Sequence, residues 1–287
     1  MIELDAASVL LQWAAGGMLF VWVTTRRREV SLGYGWLMRG TYALMAAGAA
    51  AVGILVIEPN AIRDASSVLV ALVATAGLVS SIVRRKAGVS GHVEESERRS
   101  ARVAEMTGIE RDTIVRDAEL PEFHPGWDLA AALVGVPGLI AAGIIAGDPA
   151  WLSVARMLVG AAFLGSVTDA MLLGHWYLVQ PGLPRAPIHE LVRWVGWIWP
   201  VEVALLLVPT GMVSALNGDI DDGYNGLLTW FWLACAVTTI GLVVTTRLAL
   251  RERQYSAVMA ATGLLYLAIL TAFGTDLVAR AVLAPNL

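Results

Sequence analysis

The sequence predicts an all-α, polytopic membrane protein: a bundle of about eight transmembrane helices with the N-terminus and the C-terminus outside. Three observations predict it. Hydrophobic residues make up 57% of the 287-residue chain and charged residues only 15%, with a mean hydropathy of +0.67, whereas a soluble domain carries roughly 25% charge. The missing charge is missing in blocks of about 20 residues, the length that spans the hydrocarbon of a bilayer. The basic residues, finally, sort to one side of those blocks. Lipid offers the backbone no hydrogen bonds, so such runs close their own as helices.

The expected spans are 6–24, 36–57, 66–83, 128–147, 151–179, 191–214, 226–246 and 255–278. The first has Glu3 and Asp5 before it and Arg26–Arg28 after it. That charge order is the reverse of a signal peptide's, and an uncleaved first span entering from outside is expected. Alternating sides from there, the inner loops hold 15 of the 20 basic residues, and the outer segments hold only Arg63 and Arg280. This asymmetry is what the positive-inside rule demands, and losing or adding a span would scramble it. A bacterial-type inner membrane is the expected location.

Ala49-x-x-x-Gly53, Gly143-x-x-x-Gly147 and Ala161-x-x-x-Gly165 place small residues one turn apart, where neighbouring helices can approach closely. Pro137, Pro200 and Pro209 fall inside the expected spans and predict kinks or freed carbonyls. Trp194, Trp197 and Trp199 suit an interfacial aromatic belt. No internal repeat is legible. The whole chain, 1–287, reads as one integral membrane domain whose only extended polar piece is the inner loop 84–127. In it, Glu94/Arg98 and Glu95/Arg99 have helix-supporting spacing, and Val103, Met106, Ile109, Ile114 and Val115 give a weak apolar stripe. A surface helix and a solvated linker both fit this pattern.

Composition excludes some functions. A net charge of −4 lacks the basic footprint that nucleic acid requires. The single cysteine, Cys235, forms no internal disulfide and no metal site. Nucleotide-binding and hydrolase motifs are missing, and Asn217–Gly223 departs from a calcium loop in its glycine and its twelfth position.

Ionisable residues inside spans are costly and mark candidate chemistry. Asp169, in the fifth expected span, and Glu202, in the sixth, lie at similar expected depth on consecutive antiparallel helices. Facing carboxylates there form a midplane proton relay. The competing expectation is that each pairs with an arginine, Arg39 or Arg156 being available. At the inner end of the fifth span, His175, Trp176 and Tyr177, with Arg185 or Arg193 nearby, supply the hydrogen-bonding and flat apolar groups that a quinone-like headgroup needs. The same residues could instead form an aromatic belt around one satisfied histidine. Quinone is thus the expected cofactor. A haem b on His175 is the lesser alternative, because Met171 approaches from the same helix face.

The function these features point to is an electron- or proton-handling membrane subunit of a quinone-linked, respiratory-type complex. Its partners would be lipid and other membrane or redox subunits. A proton-coupled secondary transporter and a structural or assembly subunit are the alternatives.

Overall fold

A computed structural model describes residues 5–107, 117, 119–180, 183–208 and 211–284. Ten α-helices form among the described residues, and no strand does. They are α1 (Ala6–Thr25), α2 (Leu32–Leu55), α3 (Ala61–Val83), α4 (Ser90–Thr107), α5 (Gly126–Ala146), α6 (Ala150–Val179), α7 (Ala186–Leu207), α8 (Met212–Leu216), α9 (Leu227–Ala249) and α10 (Tyr255–Val282). Seven of these, α1, α2, α3, α5, α6, α9 and α10, are long and apolar enough to cross a membrane. Leu55, Leu44, Leu270, Ile145 and Trp151 stand exposed on their flanks, an apolar surface that only another apolar phase covers. Seven such helices with an apolar flank support a multi-pass membrane protein.

The count of sufficiently apolar helices is seven, not eight, because α7 carries Glu190, Arg193 and Glu202 within 22 residues. Its boundaries also differ from the expected 191–214. The helix begins at Ala186, where Pro187 suits the first turn. It ends at Leu207 because Val208 is extended, at φ −116° and ψ 156°, the conformation that a following proline imposes. That proline, Pro209, lies outside the described residues. Pro200 and Pro137 are inside α7 and α5 as expected. In the loop 84–127, the helix expectation holds through α4, with Arg98 hydrogen-bonded to Glu94 at 3.5 Å. The apolar stripe of Val103, Met106, Ile109, Ile114 and Val115 lies outside the residues or side chains described.

The long helices share two ends. At the basic end, Arg26 and Arg27, after α1, both bond the Glu190 carboxylate of α7, the former at 2.6 Å. Arg28 bonds Glu122, Trp176 of α6 donates to Ser31 before α2, and Arg185 donates to the carbonyls of Arg253 and Gln254 between α9 and α10. At the far end, Arg63 of α3 bonds Asp5 at 3.1 Å. There Arg156 of α6 caps the end of α7 by donating to the carbonyls of Leu205 and Val208, at 2.8 and 3.0 Å. Helix α7 therefore runs the height of the bundle, antiparallel to α6.

Helices α1 and α6 are the most buried of the apolar helices. α6 is the seam: α1 and α5 pack on one side of it, α7 and α10 on the other. Small residues permit this. A Cβ on Gly16 would sit 1.8 Å from the Ala161 carbonyl oxygen, and one on Gly165 2.2 Å from the Gly16 backbone. Gly143 meets Val154 of α6, and Gly53 meets Asp64 of α3, in the same way. All three predicted small-residue motifs thus sit at helix contacts.

Polar pairs tie the other helices. Arg39 of α2 grips Asp128 of α5 through two hydrogen bonds, 2.6 and 2.8 Å, with both residues at most 1% exposed. Thr25 of α1 donates to the same carboxylate at 2.8 Å, and the guanidinium lies 4.0 Å from the centre of the Phe123 ring. Removing one partner leaves an uncompensated buried charge. Arg39→Ala is therefore expected to cost about 3–5 kcal/mol, and the double replacement Arg39→Met with Asp128→Leu distinctly less; thermal unfolding in detergent measures both.

Candidate functional site

Two layers of buried polar side chains cross the bundle. The first lies in the half nearer the basic end. Asp169 of α6 is fully buried and accepts one hydrogen bond, 2.8 Å, from the Tyr42 hydroxyl of α2. Its second oxygen, Oδ2, has no hydrogen-bond partner among the described residues, and neither does the buried Tyr34 hydroxyl. Next to Asp169 in sequence, Thr168 accepts from Trp13 of α1 at 2.9 Å. Gly17 makes room for the Tyr42 ring, which stands 2.0 Å from where a Cβ would be.

The second layer lies about six residues from the far end of each contributing helix. Glu202 of α7 sits beside Asp276 of α10, with Arg280 of α10 and Arg156 of α6 as the nearby cations. Arg280 bonds Asp276 at 3.0 Å through Nε and contacts the Met157 sulfur at 3.3 Å through a terminal nitrogen. Gln12 of α1 completes the layer. A Cβ on Gly160 of α6 would lie 2.2 Å from its amide nitrogen and 3.0 Å from both Asp276 and Arg280. Both Glu202 oxygens, Oδ2 of Asp276 and both polar atoms of Gln12 are buried without a hydrogen-bond partner among the described residues. Burying a polar atom without a partner costs on the order of 1–3 kcal/mol, and a proton on either carboxyl group would let Glu202 and Asp276 hydrogen-bond each other.

The structure does not bring Asp169 and Glu202 together. Counting from the basic end, Glu202 is sixteen residues into α7 and Asp169 ten residues from the end of α6, a difference of roughly 9 Å in depth at about 1.5 Å per residue. Each has another partner instead: Tyr42 for Asp169, Asp276 for Glu202. The expected arginine pairings differ as well. Arg39 holds Asp128, a residue that sequence reasoning did not single out, and Arg156 spends its hydrogen bonds on carbonyls. Asp276 and Arg280 form an i,i+4 pair on α10. Gln12, an amide inside an apolar run, and Asp128, an acid inside another, carried the same sequence signal as Asp169.

His175, Trp176 and Tyr177 point in three directions, as adjacent residues on a helix do at about 100° each. His175 is exposed on the flank and its Nδ1 lies 3.0 Å from the Tyr266 hydroxyl of α10. Trp176 is half-buried against Tyr34, and the buried Tyr177 donates to the Pro184 carbonyl. Arg193 lines a different feature, a shallow cavity of about 270 Å³ formed with Glu190, Trp194 and Trp197 on α7. The His175–Tyr266 pair therefore stands on the exposed flank of α6 and α10, apart from Trp176 and Tyr177. Met171 shares α6 with His175, so it cannot take the opposite face of a haem.

At the basic end a hydrogen-bonded chain joins α2, α6 and α4. Trp176 Nε1 donates to Ser31 at 3.1 Å and to Gln180 Oε1 at 3.0 Å. The Gln180 amide nitrogen therefore faces Nε2 of His92, 3.0 Å away, which accepts only when unprotonated. Comparison with family models, curated proteins and solved structures found no match for this chain.

Burial, and then the charge of Arg99, hold the His92 imidazole below its ordinary value of 6.5. A lowered value in the folded state means that the contact is intact above about pH 6.5 and is lost as pH falls through the lowered value. Protection of the α4 amides, relative to their intrinsic exchange rate at each pH, is expected to be lower at about pH 5 than at about pH 7.5. His92→Gln, whose side-chain carbonyl accepts at either pH, removes the difference.

Proposed function

We propose that this chain is a proton-handling protein of a bacterial inner membrane, with eight spans, both termini outside, and the Glu202–Asp276 pair as its central group. One observation carries the reading: two carboxyl groups lie side by side in the bundle, and three of their four oxygens have no hydrogen-bond partner among the described residues. Two adjacent carboxylates in an apolar surround are not both ionised without great cost, so the pair takes up one proton and shares it. Arg280 and Arg156 set how readily that proton leaves. Asp169 with Tyr42 is a second station on the side of the basic end.

The eighth span is α7. Its 22 residues give roughly 33 Å, enough for the hydrocarbon core; Glu190 is paired with Arg26 and Arg27, Arg193 lines a cavity, and Glu202 sits beside Asp276. The crowding of arginines at the ends where α1, α3 and α9 stop supports the assignment of that end to the cytoplasm.

A second reading couples the same proton chemistry to a quinone. It rests on the His175–Tyr266 pair, a proton-exchanging donor and acceptor on the exposed flank of α6 and α10. A quinone carried in the bilayer reaches such a flank directly, and redox subunits would be its partners. That reading predicts a co-purifying quinone which His175→Ala loses.

The principal reading is tested with the purified protein in liposomes that contain a pH indicator. An imposed proton gradient is expected to dissipate through the wild type, and Glu202→Gln or Asp276→Asn to slow it by about tenfold or more, in line with losing a positioned proton carrier. Wild-type rates in both variants contradict it.

A further inference from the structure

We infer that the far-end cavity between α1, α3, α5 and α6 is the entrance by which small cations, protons among them, reach the Glu202–Asp276 pair. The inference rests on the proton-handling reading and adds a route and a side to it. The cavity has a volume of about 270 Å³, and its lining includes Asp5, Ser8, Glu58, Arg63, Ala146 and the buried Met157.

Two helix faces lead inward from it. On α1, Ser8 lines the cavity, and Gln12, one turn deeper, belongs to the carboxylate layer. On α6, Met157 lines the cavity and Gly160, one turn deeper, leaves the space that Gln12, Asp276 and Arg280 surround. Met157 itself touches both places, since its sulfur lies 3.3 Å from the Arg280 guanidinium that bonds Asp276. Among the described residues, Met157, an unbranched side chain that changes rotamer readily, the Arg280 guanidinium and Gln12 lie between the cavity and the pair. That amide is fully buried and both of its polar atoms lack a protein partner among the described residues, so donor and acceptor alike are available to a passing proton or hydrated ion.

The charge of the cavity selects its visitor. Arg63 is bonded by Asp64 at 2.8 Å and by Asp5 at 3.1 Å, and Glu58 stands exposed in the lining. The lining thus carries the carboxylates of Asp5 and Glu58 beside one guanidinium that Asp5 and Asp64 already pair, and a concave site with that balance concentrates cations.

Cysteine labelling tests the route apart from the chemistry. Cys235 is the only cysteine in the chain, so Cys235→Ala gives a clean background for Met157→Cys and Ala146→Cys in the cavity lining. Each is treated in sealed vesicles with a membrane-impermeant thiosulfonate, carrying either a quaternary ammonium or a sulfonate. The reagent is added on the side where an N-terminal tag is accessible. Both cysteines are expected to react from that side, the cationic reagent about tenfold faster than the anionic one, with the ratio falling as salt rises. The ammonium adduct on Met157→Cys is expected to slow proton flux. Reaction from the opposite side only, no reaction at either position, or equal rates with both reagents would overturn the entrance, while leaving the sensitivity of flux to Glu202→Gln untouched. Selective labelling combined with flux indifferent to Glu202→Gln would instead retain the cavity and refute the proton reading that the inference needs.

Discussion

Inside an apolar slab a polar side chain has no solvent to fall back on, and the search of each one for a partner organises this bundle. Arg39 and Asp128 show the tightly paired case, with only Nη1 of Arg39 left without a hydrogen-bond partner among the described residues. Two hydrogen bonds between them, a third from Thr25 and the Phe123 ring below draw α1, α2 and α5 to one point. Arg63 with Asp64 and Asp5 does the same for α1 and α3 at the far end. Buried ion pairs of this kind add little net stability over apolar packing, but breaking one is severe, so they fix which helices meet and in what register.

Against that background the unsatisfied groups stand out. Among the described residues, single atoms of Glu29, Tyr34, Trp36, Arg39, Thr246 and Asp169 lack a hydrogen-bond partner, and the layer of Glu202, Asp276 and Gln12 gathers five such atoms in one place. Natural proteins leave few such atoms, and those they leave tend to have a chemical use. Close packing of α1 on α6 places them. Gly16, Gly165 and Ala161 bring the two backbones into contact, which sets Gln12 against Gly160 in one layer and Trp13 against Thr168 in the next. The small residues therefore do more than fill space: they carry the alignment of both polar layers.

Much of this was legible in the sequence, and the part that was not has a definite physical cause. Hydropathy and arginine placement outlined all the long helices, because lipid dictates both the length and the composition of a span. The ends of α7 were misplaced, since its polar first turn resembles a loop and the extended Val208 cuts short an otherwise apolar run. Asp169 and Glu202 were identifiable as costly residues, but their partners were not. Tyr42 and Asp276 lie 127 and 74 positions away from them, and rotation and register between distant helices leave no trace in a single sequence. His175, Trp176 and Tyr177 show the opposite error: neighbours in sequence, they diverge around the helix, and the actual partner of His175 is Tyr266. Gln12 could have been found, as an amide within an apolar run is as conspicuous as a carboxylate.

The sharing of one proton by Glu202 and Asp276 is the claim on which the functional account turns. Infrared difference spectroscopy of the purified protein in lipid, recorded in H2O and D2O at neutral pH, observes it directly. The account predicts the carbonyl stretch of a protonated carboxylic acid, shifted by deuterium and altered alike by Glu202→Gln and by Asp276→Asn. No such band, or one that both substitutions leave unchanged, would contradict it.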